Sequence, residues 1–89
     1  LNPIRGSTYY AARLFANSFG TLGGLNINER AEVLNDSGEP IRGLYAAGND
    51  ANTICLDSYC FGMPGHTSGF ALNTGRIAGE TAATAVRSI

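Results

Sequence analysis

One run of residues constrains this chain more than any other: Leu44-Tyr45-Ala46-Ala47, followed at once by Gly48-Asn49-Asp50. Leu44 to Ala47 read as a buried strand. A Gly at the carboxyl end of a strand lets the backbone turn sharply and approach a ligand closely. In open α/β sheets, ligands bind just outside those carboxyl ends. Asn49 and Asp50 are then placed to hydrogen-bond sugar or ribityl hydroxyls. The plainer reading is a turn, because Gly, Asn and Asp make turns wherever they stand. The surrounding residues decide between the two.

The chain has 89 residues, enough for one small domain or a piece of a larger one. It begins at Leu1 with no Met, as expected of a chain that is processed, cut or cloned as a segment. A chain this short buries only about 60–65% of its unfolded surface and is marginal without help. Charged residues make up 15%, below the usual ~25%. That is the composition expected where much of the surface faces other protein or a cofactor. The net charge is −1 with no basic cluster, which argues against a nucleic-acid partner. No apolar run approaches the ~20 residues of a membrane span, and the expected setting is cytoplasmic. Cys55 and Cys60 lack the spacing of a zinc or redox pair. They read as buried or semi-buried free thiols of a reducing compartment.

Taken in order, residues 1–24 form a lead-in strand and a Gly-rich loop. Tyr9 to Phe15 carry aromatic and apolar residues without a helical stripe, so a strand is expected there. Gly20-Thr21-Leu22-Gly23-Gly24 places three glycines in five residues. Such a loop either presents its amides to a ligand or serves as a flexible connection. Residues 25–50 read as a β-meander that delivers the chain into the strand at Leu44. Its parts are a short half-buried strand at Leu25 to Asn28, another at Ala31 to Leu34, and a turn at Asn35 to Pro40. Residues 51–65 form a long loop that lines something. Residues 66–88 form a helix, with Thr67 or Ser68 as the cap. Gly75 and Gly79 lie on one side of it with Ala71 and Ala78. Interior Gly costs roughly 0.5–1 kcal/mol relative to Ala, so close packing on a flat partner is expected to compensate. Arg76, Glu80 and Arg87 read as solvated.

No metal constellation stands out, and no Ser-His-acid arrangement. Tyr59 is a candidate donor to a carbonyl or enolate, or else a packed loop aromatic. His66 is either a polar residue before the helix or a contact to substrate or cofactor. The amides of Gly65 to Ser68, at the start of the helix, suit partial negative charge. Together these features suit a large, flat ligand with polar edges. The other half of a nucleotide site is missing, for no Gly-x-Gly-x-x-Gly fingerprint occurs.

Four blocks occur in a familiar order: Gly20-Thr21-Leu22-Gly23-Gly24-Leu25, Ala31-Glu32-Val33-Leu34, Pro40 to Asn49, and Gly75-Arg76-Ile77-Ala78-Gly79-Glu80. The chain resembles the C-terminal end of the fumarate reductase/succinate dehydrogenase flavoprotein family, which also holds the 3-ketosteroid dehydrogenases. The resemblance covers about Tyr9 to Ala83. It implies an α/β fold: the returning C-terminal part of a Rossmann-like FAD-binding domain that a substrate domain interrupts. It implies FAD as cofactor and the rest of the parent chain as partner. Gly48, Asn49 and Asp50 would meet the ribityl chain. Gly65, His66, Thr67 and Ser68 would lie at the isoalloxazine, where reduced flavin carries negative charge near N1. The loop Gly20 to Gly24, with Gly23, would face the flavin near the substrate.

The chain departs from the family's pattern at several positions. Fumarate reductases typically carry His where Gly20 stands and an Arg near Gly62. Neither is present here. Many members carry Glu after the strand glycine; Asn49 stands there instead, as in several ketosteroid-type members. In those members a Tyr hydroxyl and a Gly amide hold the substrate ketone, and Tyr59 and Gly65 are the candidates, at a longer spacing. The expected protein is an FAD-dependent oxidoreductase acting on a carbon–carbon bond next to a carbonyl, either ketosteroid-dehydrogenase-like or fumarate-reductase-like. The isolated segment is expected to be inactive and prone to self-association. The alternative is a small non-enzymatic α/β module that binds a partner through its helix.

Overall fold

A computed structural model describes residues 2–18, 20–59 and 62–89. The elements, in order, are strand β1 (Glu32–Leu34), strand β2 (Pro40–Tyr45), two 3-10 turns (Gly48–Asp50 and Asn52–Cys55) and helix α1 (His66–Arg87). This is a small α/β unit whose two strands pair antiparallel.

The β1–β2 hairpin is closed by Asn35. Its side-chain Oδ1 accepts the N–H groups of Ser37 and Glu39, each at 2.9 Å, and its own N–H donates to the Glu39 carbonyl at 2.8 Å. Asn makes this turn because its short amide imitates a backbone carbonyl. The register pairs Leu34 with Pro40 and Glu32 with Tyr45, so β2 bulges between them. Gly43 sits in that bulge at φ +79, a conformation that a residue with a Cβ adopts only under strain.

The expected strand at Leu25 to Asn28 becomes less than a strand. It joins β1 through a single bridge, Ile27 to Val33, with Leu34 N–H donating to Asn26 O at 2.8 Å. The Asn28 side chain then diverts the backbone: its Oδ1 accepts the N–H groups of Arg30 and Glu32. Side-chain bonds of this kind compete with a ladder and end it.

Tyr9 to Phe15 also differs from expectation. No regular structure forms, and Tyr10 and Leu14 are 96% and 91% exposed. A strand needs a neighbour to satisfy its amides. Among the described residues, none pairs with this segment as a neighbouring strand. The run Leu44 to Ala47 is likewise not buried throughout: Leu44 is exposed, Tyr45 and Ala47 are half-buried, and only Ala46 is buried. Residues 51–65 carry one further 3-10 turn where a plain loop was expected. Cys60, expected to be a free thiol, lies outside the described residues, as do Leu1, Phe19 and Phe61. Cys55 is buried and free.

Helix α1 packs on the Gly48–Asp50 turn through Ala71 and Thr74 and also touches β2, where Ala82, Ala85 and Val86 border one depression with Arg42, Gly43 and Tyr45. Its cap is Gly65, in the left-handed conformation at φ 78, rather than Thr67 or Ser68, and no side chain caps it. Among the described residues, the side of the helix that carries Gly75 and Gly79 finds no flat partner. A Cβ added at Gly75 or Gly79 would meet nothing within 4 Å. Arg76 and Glu80 pair at 2.7 Å on the exposed surface, a contact of little energetic weight.

The core is correspondingly thin. Val33, Ala46 and Ala51 form it, with Ile27 against them. Among the described residues, no large side chain is fully buried. The radius of gyration is 19.0 Å, against roughly 12 Å for a compact domain of this length.

Candidate functional site

The site forms where three segments converge at the carboxyl end of β2. Gly48 follows the strand at φ +59 and is buried. A Cβ there would lie 3.2 Å from Ala71 Cβ on α1, so both the conformation and the helix above it call for glycine. The Gly48 N–H donates to Thr74 Oγ1 at 3.0 Å, and Thr74 is itself buried. A buried N–H without a partner costs about 1–3 kcal/mol, so this bond matters to the turn.

The Gly-rich loop docks on the same turn. Leu25 N–H donates to Asp50 O at 2.7 Å, and Gly24 bridges Ala51. The approach at Gly24 is backbone on backbone: an added Cβ would stand 2.6 Å from Asp50 O. Thr21 Oγ1 lies 2.9 Å from Gly23 O and 3.2 Å from Asn49 O, within donating distance of both. Asn52, 6% exposed, donates its side-chain amide to Thr21 O. Gly24 therefore serves close docking of the loop against the turn, whereas Gly23 faces open space.

The third segment is the start of α1. Tyr59 and Thr67 share a hydrogen bond, with 2.5 Å between the hydroxyl oxygens. His66, half-buried beside them, reaches toward Cys55. Its Nε2 lies 3.5 Å from Cys55 Sγ, its ring meets the Tyr59 ring edge-on and stacks on Phe70. Cys55 Sγ in turn lies 3.4 Å from Asn52 Oδ1. Thr21, Asn52, Cys55 and His66 thus form one polar thread from the Gly-rich loop to the helix start.

A cleft of about 130 Å³ opens between these parts, bordered by Gly20, Thr21, Asn49, Asn52, Tyr59 and Thr67. A wider, shallower depression of about 520 Å³ lies against Ala46, Ala47, Asn49 and Asp50. Thr21 and Asn49 border both. Of the residues singled out from sequence, Asn49, Tyr59 and Thr67 meet at the cleft, and Asp50 borders the depression. Gly48 lies beneath, and Gly65 caps the helix. Ser68 is exposed in the first turn, and Gly23 is exposed with open space around its Cα. Asn52, Thr21 and Thr74 were not singled out. Asn52 and Thr74 are revealed by their burial, and Thr21, which is exposed, by its contacts with Asn49 and Asn52.

Residues 1–65 match the family model described as FAD binding domain. The chain belongs to the FAD-binding domain family. FAD, the cofactor expected from the sequence, is the family's own. This FAD-binding segment is similar to vinyl phenol reductase from Lactiplantibacillus plantarum, 45% identical over 84% of this chain and 15% of the relative. It is 37% identical to 3-oxosteroid 1-dehydrogenase from Mycolicibacterium smegmatis, over 99% of this chain and 15% of the relative. It is 40% identical to urocanate reductase from Eggerthella lenta, over 93% of this chain and 13% of the relative. The chain therefore spans about 15% of the length of the curated relatives it matches. No solved structure matches it. Among the described residues, no helix is long and apolar enough to cross a membrane.

The donor set of the FAD-binding segment suits part of such a cofactor. Asn49 borders both openings and Asp50 the wider one, beyond the strand end. The uncapped first turn of α1 offers amides and the positive end of the helix dipole. The cleft, at about 130 Å³, is smaller than the ~300–1,000 Å³ of ligand pockets that enclose a whole small molecule.

Proposed function

We propose that this chain is the returning C-terminal part of a Rossmann-like FAD-binding domain in a longer flavin-dependent oxidoreductase. That enzyme would act on a carbon–carbon bond next to a carbonyl. The observation that carries the reading is the docking of the Gly-rich loop on the Gly48–Asp50 turn through Thr21, Asn49 and Asn52. It brings together three features of one cofactor edge: a strand end, an amide loop and a helix start.

In this reading Asn49 and Asp50 hold the ribityl hydroxyls, and Gly48 permits the approach. Gly65, Thr67 and Ser68 present the helix start to the isoalloxazine, and the Gly23 loop lies nearby. His66 supports the helix start through Cys55 instead of touching the ligand. FAD supplies the hydride chemistry when bound; the residues of this chain position and polarise. Tyr59, held by Thr67 at the cleft, presents its hydroxyl to a substrate ketone. The rest of the longer chain covers the exposed apolar side chains and supplies the missing half of the nucleotide site. A buried free thiol at Cys55 accords with a cytoplasmic setting.

Relatives that are named reductases and relatives that are named dehydrogenases stand side by side, so the reaction is tested directly. The flavin of the longer protein should bleach when a 3-oxosteroid is added without an electron acceptor. Reoxidation of the reduced protein by fumarate, with no response to a 3-oxosteroid, would instead place it on the dicarboxylate branch.

A further inference from the structure

We propose that Thr74, in the middle of α1, is the positioning residue that sets the strand-end turn for the cofactor. The inference rests on the reading of the Gly48–Asp50 turn as an FAD contact. Thr74 Oγ1 lies 2.6 Å from the Phe70 carbonyl, one turn back along the helix. The hydroxyl has one proton, and that proton goes to Phe70 O, since a carbonyl only accepts. The lone pairs of Oγ1 are then left to accept, and Gly48 N–H fills that role at 3.0 Å. The polarity of the pair is therefore fixed by the helix itself.

Ala71 completes the seat. It lies three residues before Thr74 on the same face of the helix. Its Cβ would stand 3.2 Å from any Cβ at Gly48. The helix thus holds Gly48 through the hydrogen bond that Gly48 N–H donates to Thr74 Oγ1, and Ala71 leaves no room for a side chain at Gly48. The residues that follow, Asn49 and Asp50, take their direction from that turn. The same helix begins at His66 and Thr67. Its register therefore links two ends of the proposed cofactor site, the strand end and the helix start. Thr74 touches no ligand in this account; it acts through Gly48.

The test uses the longer flavoprotein, stripped of cofactor and titrated with FAD, in three forms: wild type, Thr74→Val and Thr74→Ser. Amide hydrogen exchange at Gly48 is followed in each. Valine keeps the shape and removes the hydroxyl, so FAD should bind at least about tenfold more weakly and the Gly48 amide should exchange faster. Serine keeps the hydroxyl and should restore both to within about threefold of wild type. Wild-type affinity and exchange in Thr74→Val would overturn the inference. So would a serine variant as weak as the valine one. If Thr74→Val does not fold, the wild-type exchange decides: a protected Gly48 amide supports the bond, and open-chain exchange there overturns it. Failure of the functional reading is seen separately, as a wild-type protein that takes up no FAD at all.

Discussion

The hydroxyl oxygens of Tyr59 and Thr67 lie 2.5 Å apart, and this contact joins the loop after the second 3-10 turn to the first turn of α1. The pair borders the cleft beside Asn49. With Thr67 Oγ1 as the donor of this pair, the single Tyr59 proton is left for a developing oxyanion.

Tyr59→Phe in the longer protein should therefore slow turnover and leave bound FAD at its wild-type level. Loss of one such donor typically costs about 10²–10³ in kcat. Flavin content and kcat measured side by side check this. Unchanged kcat would return Tyr59 to a packing role against His66.

Gly48→Val should abolish flavin retention. The φ of +59 costs a side-chain-bearing residue about 1–2 kcal/mol, and a branched Cβ would also press on Ala71 at 3.2 Å. The measurement is the ratio of flavin to protein after purification. A normally flavinated Gly48→Val protein would contradict the assignment of the strand end.

Gly23 and Gly24 are neighbours with opposite tolerance. Alanine at Gly24 meets Asp50 O at 2.6 Å and must break the Leu25 N–H to Asp50 O bond, a loss of about 0.5–1.5 kcal/mol before strain. Alanine at Gly23 meets open space. Chemical denaturation of the two variants should show a fall in stability for Gly24→Ala only. Equal stability of the two would mean the loop is not docked on the turn.

Some of this architecture was legible in the sequence. The turn at Asn35 to Pro40, the β1 segment and helix α1 were readable because their signals are local: turn residues, alternation and small-residue spacing. The turn at Gly48-Asn49 was readable for the same reason, but the strand before it was not placed correctly: β2 ends at Tyr45, and Ala46 and Ala47 lie between it and Gly48. Tyr9 to Phe15 was not, because a strand is a relation to a neighbour and composition does not reveal whether that neighbour lies in the same chain. The cap on α1 was misread for a related reason. Gly65 satisfies the turn through its left-handed backbone, so Thr67 is free to bond Tyr59. Thr74 and Asn52 were invisible because their roles come from burial against segments more than twenty residues away, Gly48 for one and Thr21 for the other.

The isolated 89-residue chain should be inactive and should self-associate. Tyr10, Leu14, Leu72, Val86 and Ile89 are all at least two-thirds exposed, more apolar surface than a thin core of Val33, Ala46 and Ala51 offsets. Sedimentation of the purified segment checks this. A stable monomer with a sharp cooperative melt would favour the small interaction module.

The most direct test of the central claim is the visible absorption spectrum of the longer protein, purified without added cofactor. The account predicts the bands of a bound flavin, released as FAD on denaturation. A colourless protein that also fails to take up added FAD would contradict it, and the strand end at Gly48 would then be a turn and nothing more.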